Sequence, residues 1–380
     1  MKILSKKSGW IIHPLEGGLG TYKETWDKLN AELYASNPYF DSNFIEPMLT
    51  YFTTGEERLC IHRQGDDIDG LVIVSPSGLA KWSIFMPCQA QITPLLLRYP
   101  ENLQDLFFSL PGFSLALDIP CQDPLNSPLP SVLRDLLWNP MPHAHTMNVS
   151  LDGNFNKYLS TRSKGFRKNI TRRFKKVQDA GLAIRIGRVT KSEEMKAAIT
   201  RFGNMETMGW KGTTGTAIHS DNVQGHFYTD VMRNFAKRGK ASIYELYFNE
   251  ILVAMEICIA SSNMLVLLKT THNENKSSFS PGRMLLYMLL EDQFAKKHVK
   301  TIEFYTNAKI NNLEWGTHDR WINHHLLFRN KFISSAYKEM KRLNDRLRSR
   351  FSFAPVAQLD RVPGYCEPRD RGSKLLWVRH

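Results

Sequence analysis

Cysteine is scarce in this 380-residue chain, and the few cysteines present have no regular spacing. They stand far apart, as Cys60, Cys88, Cys121, Cys258 and Cys366. No two of them form a Cys-x-x-Cys pair, which disfavours both a disulfide scaffold and a zinc site. The pattern therefore predicts a reducing compartment, and we expect the protein to be cytoplasmic.

Long apolar runs are missing as well. No stretch approaches the roughly 18–20 apolar residues that a membrane-spanning helix needs. A hydrophobic content of 42% with 23% charged residues is typical of a globular protein. The basic segment Met1–Ser8 has no apolar region after it, so we expect no secretory signal.

Common catalytic motifs are also absent. The sequence has no Gly-x-Ser-x-Gly, His-Glu-x-x-His or Walker A motif, and no Gly-x-Gly-x-x-Gly in a supporting context. His318, His324 and His325 are spaced too irregularly to indicate a metal cluster, so no metal is expected. His272 follows a predicted strand, where a single histidine is more often a surface or structural residue.

Acidic residues are few in the second part of the chain. Residues 1–150 carry ten Lys and Arg against sixteen Asp and Glu, whereas residues 151–350 carry 35 against 18. The first part is thus acidic and the second strongly basic. This difference suggests two units, of which the basic one attracts an anion, although solubility alone also explains it.

The hydrophobic pattern predicts a mixed α/β chain of the α+β class. Expected helices are 20–34 and 42–52 (with Ser42 as a possible cap), 155–180, 191–208, 222–239, 281–297 and a basic terminal helix at 335–350. Expected strands are 58–63, 69–75, 182–189, 241–248, 251–260, 264–271 and 301–306. We see no fixed-period repeat. Residues 351–380 read as an unstructured, accidental extension.

The segment 264–304 holds a strand, the turn Ser280-Pro281-Gly282-Arg283 and a helix. A helix that begins at such a turn directs free N–H groups and the positive end of its dipole at one point. An anion such as a phosphate can bind there. Pro281 has no N–H, which weakens the prediction.

Residues 162–176 contain eight cations and no carboxylate. Cations at this density repel each other on a helix unless an anion is present. The phosphates of a cofactor, a nucleic acid backbone and an acidic lipid surface all fit, and so does a solvated face above an apolar stripe.

Two further groups could contribute to chemistry. In Gly209-Trp210-Lys211-Gly212, a Trp beside a Lys between glycines suits an anionic or flat ligand, unless Trp210 is a core anchor. Glu256 and Glu303 lie within predicted strands. A buried, unpaired carboxylate has a raised pKa and can act as a general base, but most such residues are paired with a cation.

The order of these pieces over residues 150–330 resembles the GNAT-like acetyltransferases of cellulose and exopolysaccharide biosynthesis, the CelD/BcsL type. The resemblance implies an acyl-CoA N-acyltransferase (GNAT-like) fold with two GNAT-like halves. These are a degenerate N-terminal half at 1–145 and an acyltransferase domain at 146–334. It also implies direct acyl transfer from acetyl-CoA or another acyl-CoA, without a covalent enzyme intermediate.

The resemblance also suggests roles for individual residues. Ser280, Gly282, Arg283 and Met284 would hold the CoA pyrophosphate, with Lys168 and Arg172 on the basic helix nearby. Trp210 and Lys211 match the Trp-Lys motif of the family, and Glu303 stands where the family usually carries Asp. The chain departs from the family at Leu313-Glu314, where a Tyr-Lys pair is common. Glu314 is therefore negatively charged where the family has a positive charge, and the chemistry of the acceptor does not follow from the resemblance.

The sequence therefore predicts an acyl-CoA-dependent acyltransferase that acts on a sugar-linked or amino acceptor, in polysaccharide biosynthesis. Two alternatives remain open. One is an aminoacyl-tRNA-dependent transferase of the peptide-bridge-forming type, in which the basic helix holds the tRNA. The other is a non-catalytic binding module with a basic surface on a degenerate GNAT fold.

Overall fold

One mixed sheet forms the centre of the molecule. The computed structural model describes residues 8–125, 129, 133, 135–137, 140–209, 218–219, 221–308 and 310–351. Thirteen strands lie within these residues: β1 Gly9–Pro14, β2 Arg58–Gln64, β3 Asp67–Gly78, β4 Lys81–Ile84, β5 Leu96–Leu97, β6 Ala116–Gln122, β7 Met141–Ser150, β8 Ile184–Val189, β9 Ala241–Phe248, β10 Ile251–Ala260, β11 Met264–His272, β12 Thr301–Glu303 and β13 His318–Phe328. Their order is β1-β2-β3-β4-β6-β13-β7-β12-β11-β10-β9-β8, with β5 beside β3.

The described residues also form ten α-helices, several of them with side-chain caps. They are α1 Lys23–Tyr34, α2 Ser42–Phe52, α3 Leu103–Ser109, α4 Phe155–Ser160, α5 Lys164–Asp179, α6 Met195–Thr207, α7 Val223–Lys237, α8 Pro281–Lys296, α9 Ile310–Leu313 and α10 Lys331–Phe351. Asp41, Ser163 and Asn222 accept hydrogen bonds from the first turns of α2, α5 and α7. No helix in the described part of the chain combines the length and apolar character needed to cross a bilayer.

The same strand pattern occurs twice. Strands β1 to β4 are antiparallel neighbours, and β4 then pairs in parallel with β6. Strands β8 to β11 are likewise antiparallel neighbours, and β11 pairs in parallel with β12. Among the described residues, in each case two α-helices lie between the first two strands, and one α-helix precedes the parallel strand. The fold therefore contains an internal repeat that the sequence does not display.

The strand that follows each repeat pairs with a strand of the other repeat. Strand β7 follows the first repeat but pairs with β12, and β13 follows the second repeat but pairs with β6. The two strands also pair with each other at the centre. The boundary expected between residues 145 and 146 falls inside β7, and a division into units at that point stays a prediction.

Helices of both repeats share one apolar core on one face of the sheet. Phe44 of α2 contacts Phe227 of α7 edge to face, with ring centroids 5.5 Å apart. The Tyr51 hydroxyl donates to Asp230 at 2.5 Å. A second core lies between the sheet and helices α4, α5 and α8, and a third contains α3. Cys60, Cys121 and Cys258 are buried free thiols within these cores.

The expected meander 241–248, 251–260 and 264–271 is confirmed almost to the residue. The expected helix 155–180 is wrong in one respect, because Ser163 caps a new helix and divides it into α4 and α5. The expected strand 301–306 ends at Glu303, since Tyr305 adopts a positive φ of 52° and turns the chain away.

Asp41, and not Ser42, caps α2, and the terminal helix spans 331–351. Residues 352–380 lie outside the described residues.

Candidate active site

A gap opens in the sheet where β11 and β12 separate. The two strands pair in parallel over three residues, ending at Val266 opposite Glu303. Strand β11 continues to His272, and no described strand pairs with that edge beyond Val266. Its N–H and C=O groups on this side are therefore available to a ligand. The gap leads from Glu303 at its closed end towards the beginning of α8.

Glu303 is buried at the closed end of this gap. Its Oε1 accepts a hydrogen bond from Asn148 Nδ2 at 3.0 Å, and its Oε2 accepts one from Arg320 Nη2 at 2.9 Å. Burial raises the pKa of Glu303 to about 7, although the charge of Arg320 and the hydrogen bond from Asn148 act in the opposite direction. A carboxylate with this pKa can exchange a proton near neutral pH.

Arg320 holds two carboxylates together. It also donates to Asp123 through Nε at 2.7 Å and Nη2 at 2.5 Å, a bidentate pair. Burial would lower the pKa of Arg320, but its bonds to Asp123 and the charge of Glu303 raise it. Tyr305 packs against this group with its ring 5.5 Å from the guanidinium, and its hydroxyl accepts from Asn37 Nδ2 at 3.0 Å. Residues of both repeats therefore surround Glu303.

Two arginines meet at the beginning of α8. Arg173 of α5 donates a hydrogen bond to the Ser280 hydroxyl, and Lys176 Nζ donates to the Ser278 carbonyl at 3.0 Å. Burial, followed by the charges of Arg283 and Arg172, lowers the pKa of Arg173. Arg173 Nε is buried with no acceptor among the described residues. Repelling cations at a helix N-terminus form a site that an anion stabilises.

The backbone at this turn offers fewer donors than the sequence indicates. The N–H groups of Arg283 and Met284 both donate to the Ser280 carbonyl, at 3.1 and 3.3 Å. Pro281 has no N–H, so within the described structure only Gly282 retains a free one. Most of the attraction for an anion at this point must therefore come from the arginine side chains.

Lys168 and Arg172 lie on the exposed face of α5, and no described hydrogen bond joins either of them to the α8 turn. Phe166, Ile170 and Val177 form the buried stripe of this helix. Arg173 shares that stripe and Arg172 does not, since residues three or four apart lie on one face. Sequence reasoning passed over Arg173, and this helical phase is the signal that could have identified it.

Trp210 and Lys211 lie outside the described residues, so their roles stay predictions. Gly209 and Ile218 mark the two ends of that segment. A pocket of about 120 Å³ lies beside Gly209, lined by Met205, Glu206, Gly209, Thr270, Thr271, His272 and Glu274. Glu206 is buried there and accepts from the Ile218 N–H at 3.0 Å. The pocket places two carboxylates and a histidine at the far end of β11.

Glu256 is also buried, and among the described residues only Thr270 donates a hydrogen bond to its carboxyl group. The Thr270 hydroxyl donates to Glu256 Oε2, and Oε1 has no partner within the described structure. Burial raises the pKa of Glu256 to about 8. Burial therefore favours the neutral form of this carboxyl, and its described contacts offer no route to an acceptor.

The equivalent gap in the first repeat is closed. Where β4 and β6 separate, the Thr93 N–H donates to the Cys121 carbonyl at 3.2 Å, and Gln122 Nε2 donates to the Thr93 hydroxyl at 2.7 Å. Thr93 is buried. The chain itself fills the position that remains open beside β11.

Three residues with metal-binding side chains meet near this closed gap: Cys121, His143 and His324, with ligand atoms within 4.8 Å. The Cys121 N–H donates to His324 Nδ1 at 3.1 Å, which leaves a hydrogen on Nε2 for His143 Nδ1 at 2.9 Å. Burial lowers the pKa of His324 to about 4. With both its nitrogens engaged, His324 belongs to a neutral hydrogen-bonded pair.

Comparison with known proteins agrees with this topology. Residues 164–315 match the family model described as an acetyltransferase (GNAT) domain. A search of curated proteins gives no match. Many solved structures are similar, and three of them match over most of their length. FemX has a TM-score of 0.55 and 10% identity, covering 87% of this chain and 98% of its own.

The second is the C-terminal domain of a protein assigned as a lysylphosphatidylglycerol synthetase, from Agrobacterium fabrum, with a TM-score of 0.50, 10% identity, and coverage of 84% and 97%. The third is a conserved protein of unknown function from Bacteroides thetaiotaomicron, with a TM-score of 0.54, 8% identity, and coverage of 83% and 98%. At such identities the similarity concerns the fold alone. The chain has a GNAT-like acyltransferase fold of mixed α and β content, and the CelD/BcsL type is not confirmed.

Proposed function

We propose that this chain transfers an acyl group from an acyl-CoA thioester to an amine or hydroxyl acceptor, in the gap between β11 and β12. The observation that carries this proposal is the open edge of β11, which links Glu303 to the cationic beginning of α8. A CoA thioester has the matching order of groups, with phosphates at one end, amides along the arm and the reactive carbonyl at the other end.

Arg173 and Arg283 would bind the CoA phosphates, assisted by the N–H of Gly282. Arg283 is held there by Glu314, 3.6 Å away, and by the Trp315 ring, 5.8 Å away. Glu314, where the family commonly has Lys, thus lies beside the proposed phosphate site. The amides of the pantetheine arm would pair with the β11 edge as an added strand does. That Lys168 and Arg172 contact the CoA phosphates at the outer end of this site stays a prediction.

Glu303 would act as the general base. The acceptor nitrogen or oxygen attacks the thioester carbonyl, its proton passes to Glu303 directly or through a water, and the C–S bond breaks. The proton then passes to the departing thiolate. N–H groups on the β11 edge would stabilise the oxyanion. Trp210 and Lys211, which lie outside the described residues, stay predictions for contact with the acceptor. The acetyltransferase (GNAT) domain family does not by itself indicate a polysaccharide acceptor. We therefore propose only that the acceptor carries an amine or a hydroxyl nucleophile.

Calorimetry with CoA and acetyl-CoA, followed by an assay of thiol release with a panel of amines and amino sugars, tests this function. We expect saturable CoA binding and acceptor-dependent thiol release. Glu303→Gln should lower turnover by about 100-fold or more while leaving CoA affinity nearly unchanged. Absence of CoA binding would show that the acyl donor is a different one.

An aminoacyl-tRNA donor is the second candidate, because one observation favours it. Six cations on α5 are exposed and form no ion pair among the described residues: Lys164, Arg167, Lys168, Arg172, Lys175 and Lys176. Such a face suits a nucleic acid backbone, whose binding weakens steeply with salt. Retention of tRNA at low salt and its release at high salt, without CoA binding, would favour this donor.

A further inference from the structure

Four large apolar side chains are exposed around the β3–β4 turn, α3 and the segment before β6, and the start of α10, outside the residues of the proposed catalytic gap. Leu79, Phe108, Phe113 and Phe332 have relative exposures of 103, 67, 68 and 87%. We call this group the terminal patch. Single exposed apolar residues are ordinary, but a group of this size marks an interaction surface.

Backbone and side-chain contacts bring the members of the terminal patch together. The Leu115 N–H donates to the Ala80 carbonyl at 2.7 Å, which places Phe113 beside the β3–β4 turn that carries Leu79. The Arg329 N–H donates to the Leu115 carbonyl at 2.9 Å. The Arg329 guanidinium lies 4.7 Å from the Phe108 ring and 5.0 Å from the Phe113 ring. Phe332 follows three residues later.

Helix α10 extends the patch along its outer face. Ile333 and Tyr337 pack inwards against Ala116, Leu326 and Phe328. Phe332, Met340 and Leu343 are exposed, at intervals that place them on one side of the helix. Residues 331–351 contain seven cations and two carboxylates. Helix α10 is therefore basic and has a second apolar stripe that nothing in the described structure covers.

We propose that the terminal patch and α10 bind the surface of a bilayer that contains anionic lipid. The apolar side chains would enter the acyl boundary, and the cations of α10 would meet the headgroup phosphates. Arg329, which forms no ion pair among the described residues, adds to this charge. Apolar residues combined with basic charge complement an anionic membrane better than another protein surface. This inference is independent of the acyl donor.

Co-sedimentation of the full chain with lipid vesicles tests the proposal. Binding is expected to vesicles containing about one third phosphatidylglycerol but not to phosphatidylcholine alone, because the headgroup charge contributes. It should weaken as NaCl is raised from about 50 to 500 mM. Leu79→Ser/Phe332→Ser should lower the binding constant about ten-fold or more, because two inserted side chains are lost.

Ile251→Ser/Val223→Ser is the matched control, since it removes two exposed apolar side chains outside the terminal patch. It should bind vesicles like the native chain. Equal loss in both double variants, or no binding to anionic vesicles, would overturn the proposal. So would self-association in sedimentation velocity that only the patch variant abolishes, because the patch would then bind a second copy.

Discussion

Arg320 Nη2 lies 2.9 Å from Glu303 Oε2, and the same guanidinium forms a bidentate pair with Asp123. Strand β13, which carries Arg320, joins β6 of the first repeat to β7, and β7 in turn joins β12 of the second. The buried charges of the candidate site thus coincide with the junction of the two repeats. We therefore expect changes at this point to affect both the stability of the protein and the proposed acyl transfer.

Replacing Arg320 with Met should destabilise the protein strongly. It leaves Glu303 and Asp123 buried without their cation, and breaking such a pair costs about 3–5 kcal/mol. Arg185→Met is the control, because the Arg185–Glu250 pair is exposed and 3.8 Å apart, and such pairs contribute about 0–1 kcal/mol. Urea unfolding measures both, and similar losses would mean that the buried pair contributes little.

The rate of acyl transfer should depend on pH through Glu303. The carboxylate is the active base and its pKa is about 7, so kcat should rise with pH up to that value and then level off. Glu303→Gln should be slow at every pH and lack this rise. A Glu303→Gln profile that kept the native rise would assign the titration to another group.

Neighbouring arginines on α5 should differ in their effect on CoA binding. Arg173→Gln removes the cation that contacts Ser280, so we expect about ten-fold weaker binding, the usual effect of losing one charged hydrogen bond. Arg172→Gln changes an exposed side chain at the proposed outer end of the site, where solvent screens its charge, and should weaken binding by only about two-fold. Calorimetry with CoA distinguishes the two, and equal effects would favour a general electrostatic attraction.

Stability should fall with rising pH because of Glu256. The unfolded chain releases this proton near the ordinary value of 4.5, whereas burial keeps it bound to about pH 8 in the folded state. Between these values the folded state binds more protons, so unfolding becomes easier as pH rises, by on the order of 3–5 kcal/mol in total. Glu256→Gln should remove the part of this dependence that comes from Glu256 and leave the smaller part that comes from buried Glu303, and thermal unfolding of both proteins at pH 5 and pH 9 measures the difference. A constant difference between native and variant would contradict it.

Two glycine-to-alanine changes should have opposite effects. A Cβ on Gly203 would lie 2.5 Å from the Ile218 carbonyl oxygen, a backbone atom, so Gly203→Ala should cost about 1–3 kcal/mol. The nearest atom to a Cβ on Gly165 is 3.9 Å away, and Gly165→Ala in α5 should stabilise by about 0.5 kcal/mol. Equal melting temperatures would show that residue 218 can move away from α6.

Local pattern predicted the second repeat far better than the first. Strands β9 to β11 alternate clearly and have short turns, and the burial of Glu303 follows from its apolar neighbours. Strands β4, β6 and β13 were not predicted. Strand β4 is short, β6 contains a Pro and β13 is largely polar, so their β-structure depends on pairing with strands that are distant in the sequence. The Arg320–Asp123 pair spans 197 positions, and no local signal relates two such residues.

The exchange of β7 and β13 has a consequence for synthesis of the chain. Strand β6 cannot acquire β13 until about 200 further residues have been made, which takes roughly 10–40 s at about 5–20 residues per second. During that interval β6 presents an open strand edge to other chains. We therefore expect the nascent protein to need protection from aggregation until β13 has emerged, and a truncation before residue 318 to yield insoluble protein.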